Sequence, residues 1–369
     1  MLSRRSFFKT AGMGAAVAAT ASFPNELFAW TEPQRAPQPG GPILLNSNEN
    51  AYGPFPSVLA MKNPFQEANR YPDRSYDGLL ERLATLHKVK PDQVLIGAGS
   101  TEVLKVAACA FTGPGKKLVM AAPTFEAIGS YGAAVNAEVI KVPLAASYAH
   151  QVEQMLEAVG KSGGLIYICN PNNPTASVTP RRSLENLIRQ LPPDTYVLMD
   201  EAYHDFVPVS ADYISFLQTP VDMDRVVVAR TFSKIYGMAG LRLGYGVASA
   251  KTMKLLAQHK LDDSANIFAL RAAQISLEHD DEHEIAVRRN GFDRDEFMRQ
   301  AATRKLHAIP SWTNFVMMNA QRPVRAVIDH FKKNNIRIGR PFPPMDTFVR
   351  ISLGKPEEMK AFWQVWDRL

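Results

Sequence analysis

The run Thr231-Phe232-Ser233-Lys234-Ile235-Tyr236-Gly237-Met238-Ala239-Gly240-Leu241-Arg242-Leu243-Gly244-Tyr245 places a serine beside a lysine, small residues around a tight bend, and an arginine eight positions after the lysine. A lysine amine can condense with an aldehyde cofactor, and a nearby serine and arginine can hold that cofactor's phosphate. A surface Ser-Lys pair before a glycine-rich loop would give the same letters. The difference lies in whether other segments supply the remaining parts of such a site.

The elements that would position those parts are short apolar runs. Val94–Ile96, Lys117–Met120, Leu165–Ile168, Tyr196–Met199 and Val226–Val228 alternate with helical patterns. Near-continuous apolar strands separated by helices predict a mostly parallel sheet covered on both faces. Ligands in such sheets bind beyond the carboxyl ends of the strands.

Each strand end carries a usable group. Gly97-Ala98-Gly99-Ser100-Thr101-Glu102 leads into a helix, with Ser100 or Thr101 as the expected cap and free N–H groups for a phosphate. Phe125 in Pro123-Thr124-Phe125 offers a ring to stack on. Asn173, fixed between the prolines of Asn170-Pro171-Asn172-Asn173-Pro174-Thr175, offers an amide to a ligand oxygen. Asp200 ends its strand as a buried carboxylate, which is costly unless paired, and a protonated pyridine nitrogen would pair it; a neighbouring arginine would do so too. Tyr203 follows. Cradle, ring, amide, carboxylate, tyrosine, lysine and arginine, in that order at successive strand ends, make a pyridoxal-phosphate site.

With these residues the chain resembles the fold-type I pyridoxal-phosphate aminotransferases, and within them the histidinol-phosphate aminotransferase family. Further matching segments are Asn46-Ser47-Asn48-Glu49-Asn50, Tyr52-Gly53-Pro54, Arg70-Tyr71-Pro72-Asp73 and Val349-Arg350-Ile351-Ser352, so the likeness runs from about Ile43 to the C-terminus. It implies an α/β fold whose large domain is completed by a smaller α+β domain, built from the N-terminal arm and the C-terminal segment. The expected division is 1–29 as an export signal, 30–70 as linker and arm, 71–290 as the large cofactor-binding domain and 291–369 as the small domain.

The resemblance implies pyridoxal 5'-phosphate as cofactor, with Lys234, Asp200 and Tyr203 catalytic. Lys234 would bond the cofactor's aldehyde and move a proton, and Asp200 would hold the ring nitrogen. Asn173 and Tyr203 would bind the phenolic oxygen and Phe125 would stack. Ser100, Thr101, Ser233 and Arg242 would hold the phosphate. Tyr71 would reach the neighbouring subunit's cofactor, implying a homodimer with shared sites. Asn50, Tyr52, Arg340 and Arg350 would contact substrate, the two arginines being interchangeable as anion ligands at this stage. Three departures stand out: Phe125 replaces the family's usual tyrosine, Ala176 replaces a glycine, and the loop from Arg340 to Arg350 is short and proline-rich. His204 reads as a surface or supporting residue rather than one lining the entrance.

The implied activity is transfer of an amino group between an L-amino acid, or a histidinol-phosphate-like amine, and a 2-oxo acid. The alternative is a decarboxylase or oxidase of an amino acid on the same fold, similar to phosphothreonine decarboxylases. A ligand sensor would carry a DNA-binding module in front of the domain, where only a signal and a linker are read.

Composition bounds these readings. The formal charge of +6 includes Arg4, Arg5 and Lys9 among the first 21 residues, which hold no acid; the remaining charge is too weak and scattered for nucleic acid. Cys109 and Cys169 read as buried thiols, and no spacing suggests a metal. Ser3-Arg4-Arg5-Ser6-Phe7-Phe8-Lys9, an apolar run to Ala21 and the small residues Ala19-Thr20-Ala21 resemble a twin-arginine export signal. That predicts a periplasmic protein, or a cytoplasmic one if the signal is unused. The run is about half the ~20 residues that a permanent membrane span requires.

Overall fold

The computed structural model describes residues 40–62, 65–210 and 212–369. The export signal and most of the linker read from the sequence lie outside them. In chain order come β1 (Ile43–Leu45), α1 (Pro56–Leu59), α2 (Asp73–His87), β2 (Val94–Gly97), α3 (Ser100–Phe111), β3 (Lys117–Ala122), α4 (Ala127–Ala134), β4 (Glu138–Pro143), α5 (Val152–Val159), β5 (Gly164–Cys169), α6 (Arg181–Arg189) and β6 (Thr195–Asp200). There follow β7 (Val226–Thr231), β8 (Gly244–Val247), α7 (Ala250–Ala257), α8 (Ile267–Ser276), α9 (Asp280–Thr303), β9 (Phe315–Asn319), α10 (Val324–Lys333), β10 (Ile336–Ile338), β11 (Phe348–Ser352) and α11 (Pro356–Trp366).

Seven strands form the central sheet in the order β2-β8-β7-β6-β5-β3-β4. All its pairings are parallel except those of β8, which runs antiparallel to both β2 and β7. Strands β5, β6 and β7 are buried almost throughout, which is why their sequences are apolar on both faces. Val197 and Met199 join a core under α2, α5, α6 and α8; Leu165, Tyr167, Cys169 and Leu198 join one under α3, α4 and α7. Asp200, in step with Leu198, thus stands on the α3 face.

A separate apolar cluster gathers β1, β9, β10, β11 and helices α10 and α11 around Phe297 of α9. Strand β1 pairs parallel with β10, and β9 antiparallel with β11. Phe331 and Phe362 stack at 4.8 Å between ring centroids, with Trp363 and Trp366 around them.

The five apolar runs coincide with β2, β3, β5, β6 and β7 of the central sheet. They miss β4, a mostly exposed edge strand carrying Glu138 and Lys141, and β8, whose two glycines look like loop. The long helix α9 starts at Asp280, where Asp280, Asp281 and Glu282 suit the positive end of the helix dipole.

Gly244 opens β8 directly against the start of α3, and a methyl group there would overlap the Ser100 nitrogen. Gly244→Ala is expected to cost about 1–3 kcal/mol through overpacking. In urea the unfolding midpoint should fall while the slope stays unchanged.

Candidate active site

The start of α3 is built differently from its sequence reading. Gly99, not Ser100 or Thr101, occupies the cap position, at φ 81°, and no side chain caps the helix. Glu102 instead reaches back one turn, its Oε2 accepting from Ala98 N at 2.6 Å. Ser100 and Thr101, spared that task, begin the helix where its free N–H groups favour an anion. The Arg242 guanidinium lies against Gly99, where any side chain would collide with it. Arg242 also donates to Ser233 Oγ at 3.3 Å, and Thr231 donates to the same oxygen at 2.9 Å. Ser233, Arg242 and the α3 terminus therefore form one basic, hydroxyl-bearing corner.

Asp200 is 3% exposed. Its Oδ2 accepts from the Tyr167 hydroxyl at 2.7 Å and its Oδ1 from Ala202 N at 3.1 Å. Burial lifts its carboxyl to about 6, against the pull of the Tyr167 hydroxyl, the Ala202 amide and the Lys234 charge. The nearest arginine on the adjoining strand, Arg230, follows Asp200's register partner Ala229 and so points to the other face of the sheet. Arg230 pairs with the buried Glu201 at 3.0 Å, and Ser215 and Phe216 N complete that carboxylate's bonds. Among the described residues no cation forms a salt bridge with Asp200.

Lys234 is half-buried, its Nζ donating to Asn48 O at 3.1 Å and lying 5.6 Å from the centre of the Tyr203 ring. Burial and the Arg350 charge lower the amine to about 8, with Glu49 opposing. Buried Tyr203 accepts from Asn48 Nδ2 at 3.0 Å, and its ring meets Phe315 edge-on at 5.1 Å. Arg350 crosses from β11, donating to Asn173 Oδ1 at 2.6 Å and to Asn46 O at 2.6 Å. Its Nε has no partner, and burial lowers the guanidinium to about 10. With Asn173 Oδ1 engaged, the amide nitrogen of Asn173 is the end left to donate. Phe125 is half-buried against the α3-side core.

The arm supplies groups that the sequence reading passed over. Asn46 and Asn48, rather than Asn50, touch Arg350, Lys234 and Tyr203. Asn48 sits at φ 55°, a left-handed conformation that asparagine tolerates, and is held by Ser352. Asparagine at alternate positions before a glycine turn was the available signal. Asn50 instead donates to Ile235 O at 2.8 Å. Tyr52 donates to Asp293 of α9 at 3.0 Å with Arg289 over its ring. Arg340 lies at the surface, paired with Glu126 and stacked on Phe342. Tyr71 is 79% exposed. His204 contacts the Tyr213 hydroxyl at 3.2 Å, and burial lowers it to about 4. Ala176 takes φ 59°, the conformation that explains the family's glycine.

These groups fit pyridoxal phosphate. The buried carboxylate lacks a cation, the amine is close to neutral, and the corner of Ser233, Arg242 and the α3 terminus suits a dianion. Among the described residues no cluster of His, Cys, Asp and Glu could hold a metal, and no helix is long and apolar enough to cross a membrane.

Comparison with known proteins agrees. The family model for aminotransferase class I and II matches residues 41–365. The histidinol-phosphate aminotransferase of Symbiobacterium thermophilum is 35% identical over 324 residues, covering 87% of this chain and 88% of that one. That of Moorella thermoacetica is 33% identical over 325 residues, covering 87% and 83%. The structure of histidinol-phosphate aminotransferase from Sinorhizobium meliloti in complex with pyridoxal-5'-phosphate superposes with a TM-score of 0.81 at 26% identity, covering 88% and 91%.

Between about pH 4 and 6 the folded apoprotein keeps a proton on Asp200 that the unfolded chain has released, so stability is lost as pH rises through that window. Asp200→Asn removes the loss. Its melting temperature relative to wild type should climb from pH 4 to 6 and then level off, while its affinity for pyridoxal phosphate falls at least about tenfold.

Proposed function

The chain belongs to the aminotransferase class I and II family and uses pyridoxal phosphate, and on that premise we propose the division of labour that follows, with a histidinol-phosphate-like amine or an L-amino acid as donor. The observation that carries it is a buried carboxylate with no cationic partner beside an amine lowered to about 8. When bound, pyridoxal phosphate supplies an aldehyde to take up the donor's amino group and a ring to withdraw electrons from its Cα.

Each protein group then has one task. Asp200 would accept a hydrogen bond from the ring nitrogen and so favour its cationic form. Asn173 Nδ2 and the Tyr203 hydroxyl donate to the phenolic oxygen, and Phe125 covers a ring face. The α3 terminus, Ser233 and Arg242 hold the phosphate. Lys234, with a large neutral fraction near pH 8, would take the proton from the donor's Cα and deliver it to the carbon that had carried the cofactor's aldehyde, on the far side of the transferred nitrogen. Arg350 grips the donor's carboxylate or phosphate through its unpaired Nε. Arg340 and Tyr52 stand at the margin, where the distal group of the donor would meet them. The named relatives act on histidinol phosphate, which supports a donor whose distal end is an imidazole or a phosphate.

The same reading extends to assembly and location. Exposed Tyr71 suits a homodimer in which it reaches the partner's cofactor. The N-terminal twin-arginine pattern supports export to the periplasm as a folded protein. The division into a large domain of 71–290 and a small one of 291–369 completed by the arm belongs to this reading as well.

Three experiments test it. Lys234→Ala should lose the visible absorbance of the bound cofactor and at least about a hundredfold of transaminase rate across a panel of aromatic, basic, acidic and phosphorylated donors. Sustained carbon dioxide release or oxygen uptake from a donor alone, without a 2-oxo acid, would instead assign a decarboxylase or an oxidase. Replacing Arg4 and Arg5 together by lysine should move the protein from periplasm to cytoplasm in fractionated cells; an unchanged distribution overturns the export assignment.

A further inference from the structure

Tyr167 lies in the middle of the sheet and is fully buried, yet it carries a hydroxyl. A phenylalanine would fill the same space, and a buried hydroxyl is costly unless bonded. It occupies β5 two residues before Cys169, which stands in register with Asp200 on β6. Side chains two apart on a strand share a face, so Tyr167, Cys169 and Asp200 meet on the α3 side. The hydroxyl donates to Asp200 Oδ2 at 2.7 Å.

We propose that Tyr167 is a positioning residue acting through Asp200, keeping its carboxylate ionised and turned toward the ring nitrogen of bound pyridoxal phosphate. The geometry leaves little freedom. Oδ1 is fixed by Ala202 N and Oδ2 by Tyr167, so the carboxylate plane is set from two sides. Burial and the Asp200 charge push the Tyr167 phenol far above its ordinary range, so it remains a donor at every working pH. Because the hydroxyl donates to the carboxylate, the bond favours the ionised acid. The other titratable groups that interact with Asp200 are the Cys169 thiol, which burial keeps protonated and which donates to Pro171 O, the Tyr203 phenol, Glu201 next in the chain, and Lys234 beyond β7. Lys234 is the one cation among them, and it is engaged with the arm. Tyr167 is therefore the neutral side chain that, with the Ala202 amide, offsets part of the burial cost before the cofactor arrives. The inference rests on the reading that Asp200 meets the cofactor's ring nitrogen.

The test compares wild type, Tyr167→Phe, Asp200→Asn and the double variant. In the holoenzyme, pyridoxal phosphate should dissociate from Tyr167→Phe with a constant raised about ten- to a hundredfold, read by absorbance after dialysis. In the Asp200→Asn background the same change should add nothing. In the apoprotein, the pH at which the Asp200-linked loss of stability ends should move up from about 6 by roughly one unit. A packing role alone would lower the melting temperature at all pH values and leave that midpoint in place. An unmoved midpoint overturns the proposal at the Tyr167–Asp200 bond and leaves the reading of Asp200 intact. A midpoint that moves with no change in cofactor affinity overturns it at the cofactor, together with that reading.

Discussion

Withdrawing a carboxylate from water without giving it a counter-charge sets the terms for the whole site. Asp200 ends β6 inside the molecule, with a hydroxyl and one backbone amide for company. Arg230, next in the chain to Asp200's register partner Ala229, points to the other face of the sheet and pairs there with Glu201, whose carboxylate is fully bonded. Two adjacent acids thus receive opposite treatment: one is neutralised for structure, and the other is left expectant. Lys234 is treated alike from the other sign, lowered toward neutrality by burial and by Arg350. The cost of both is met by the apolar sheet around them and by the cation and aldehyde that a cofactor brings.

The arm is the second organising element. Residues 46–50 lie between the sheet's open end and the C-terminal strands, and their asparagines bond to both. Asn48 alone contacts Lys234, Tyr203, Ser352 and Asn314. Backbone carbonyls of this segment receive the lysine and Arg350, so the polar groups of an irregular stretch are used rather than left to water.

How much of this could be read from the letters follows from where each signal resides. Strand ends on a parallel sheet are marked by apolar runs, so Asp200, Asn173, Phe125 and Lys234 could be located before any coordinates. Contacts made through backbone atoms carry no such mark: Asn46 and Asn48 receive Arg350 and Lys234 on carbonyls, which every residue has, and only the side-chain bonds of Asn48 to Tyr203 and Ser352 depend on its being asparagine. The cap at α3 was misread because two hydroxyls follow Gly99, whereas Glu102 satisfies the turn from inside the helix. Strand β8 was missed because Gly244 and Gly246 are there for closeness to neighbours, not for strand preference. Tyr52 and Arg340 have partners, Asp293 and Glu126, that lie more than two hundred residues away in sequence, and no local pattern announces them.

Strand β1 pairs with β10, and Asn48 bonds to Ser352 across 304 positions of chain. A growing polypeptide has made Asp200 and Lys234 long before it has made Arg350, β11 or the partner for its own first strand. During synthesis the residues proposed to hold the cofactor can be in place while Arg350, proposed to bind substrate, does not yet exist. Contacts of such sequence separation form slowly. On that assignment the order of translation imposes its own safeguard: a nascent chain lacks the full set of site residues until its final strands have left the ribosome.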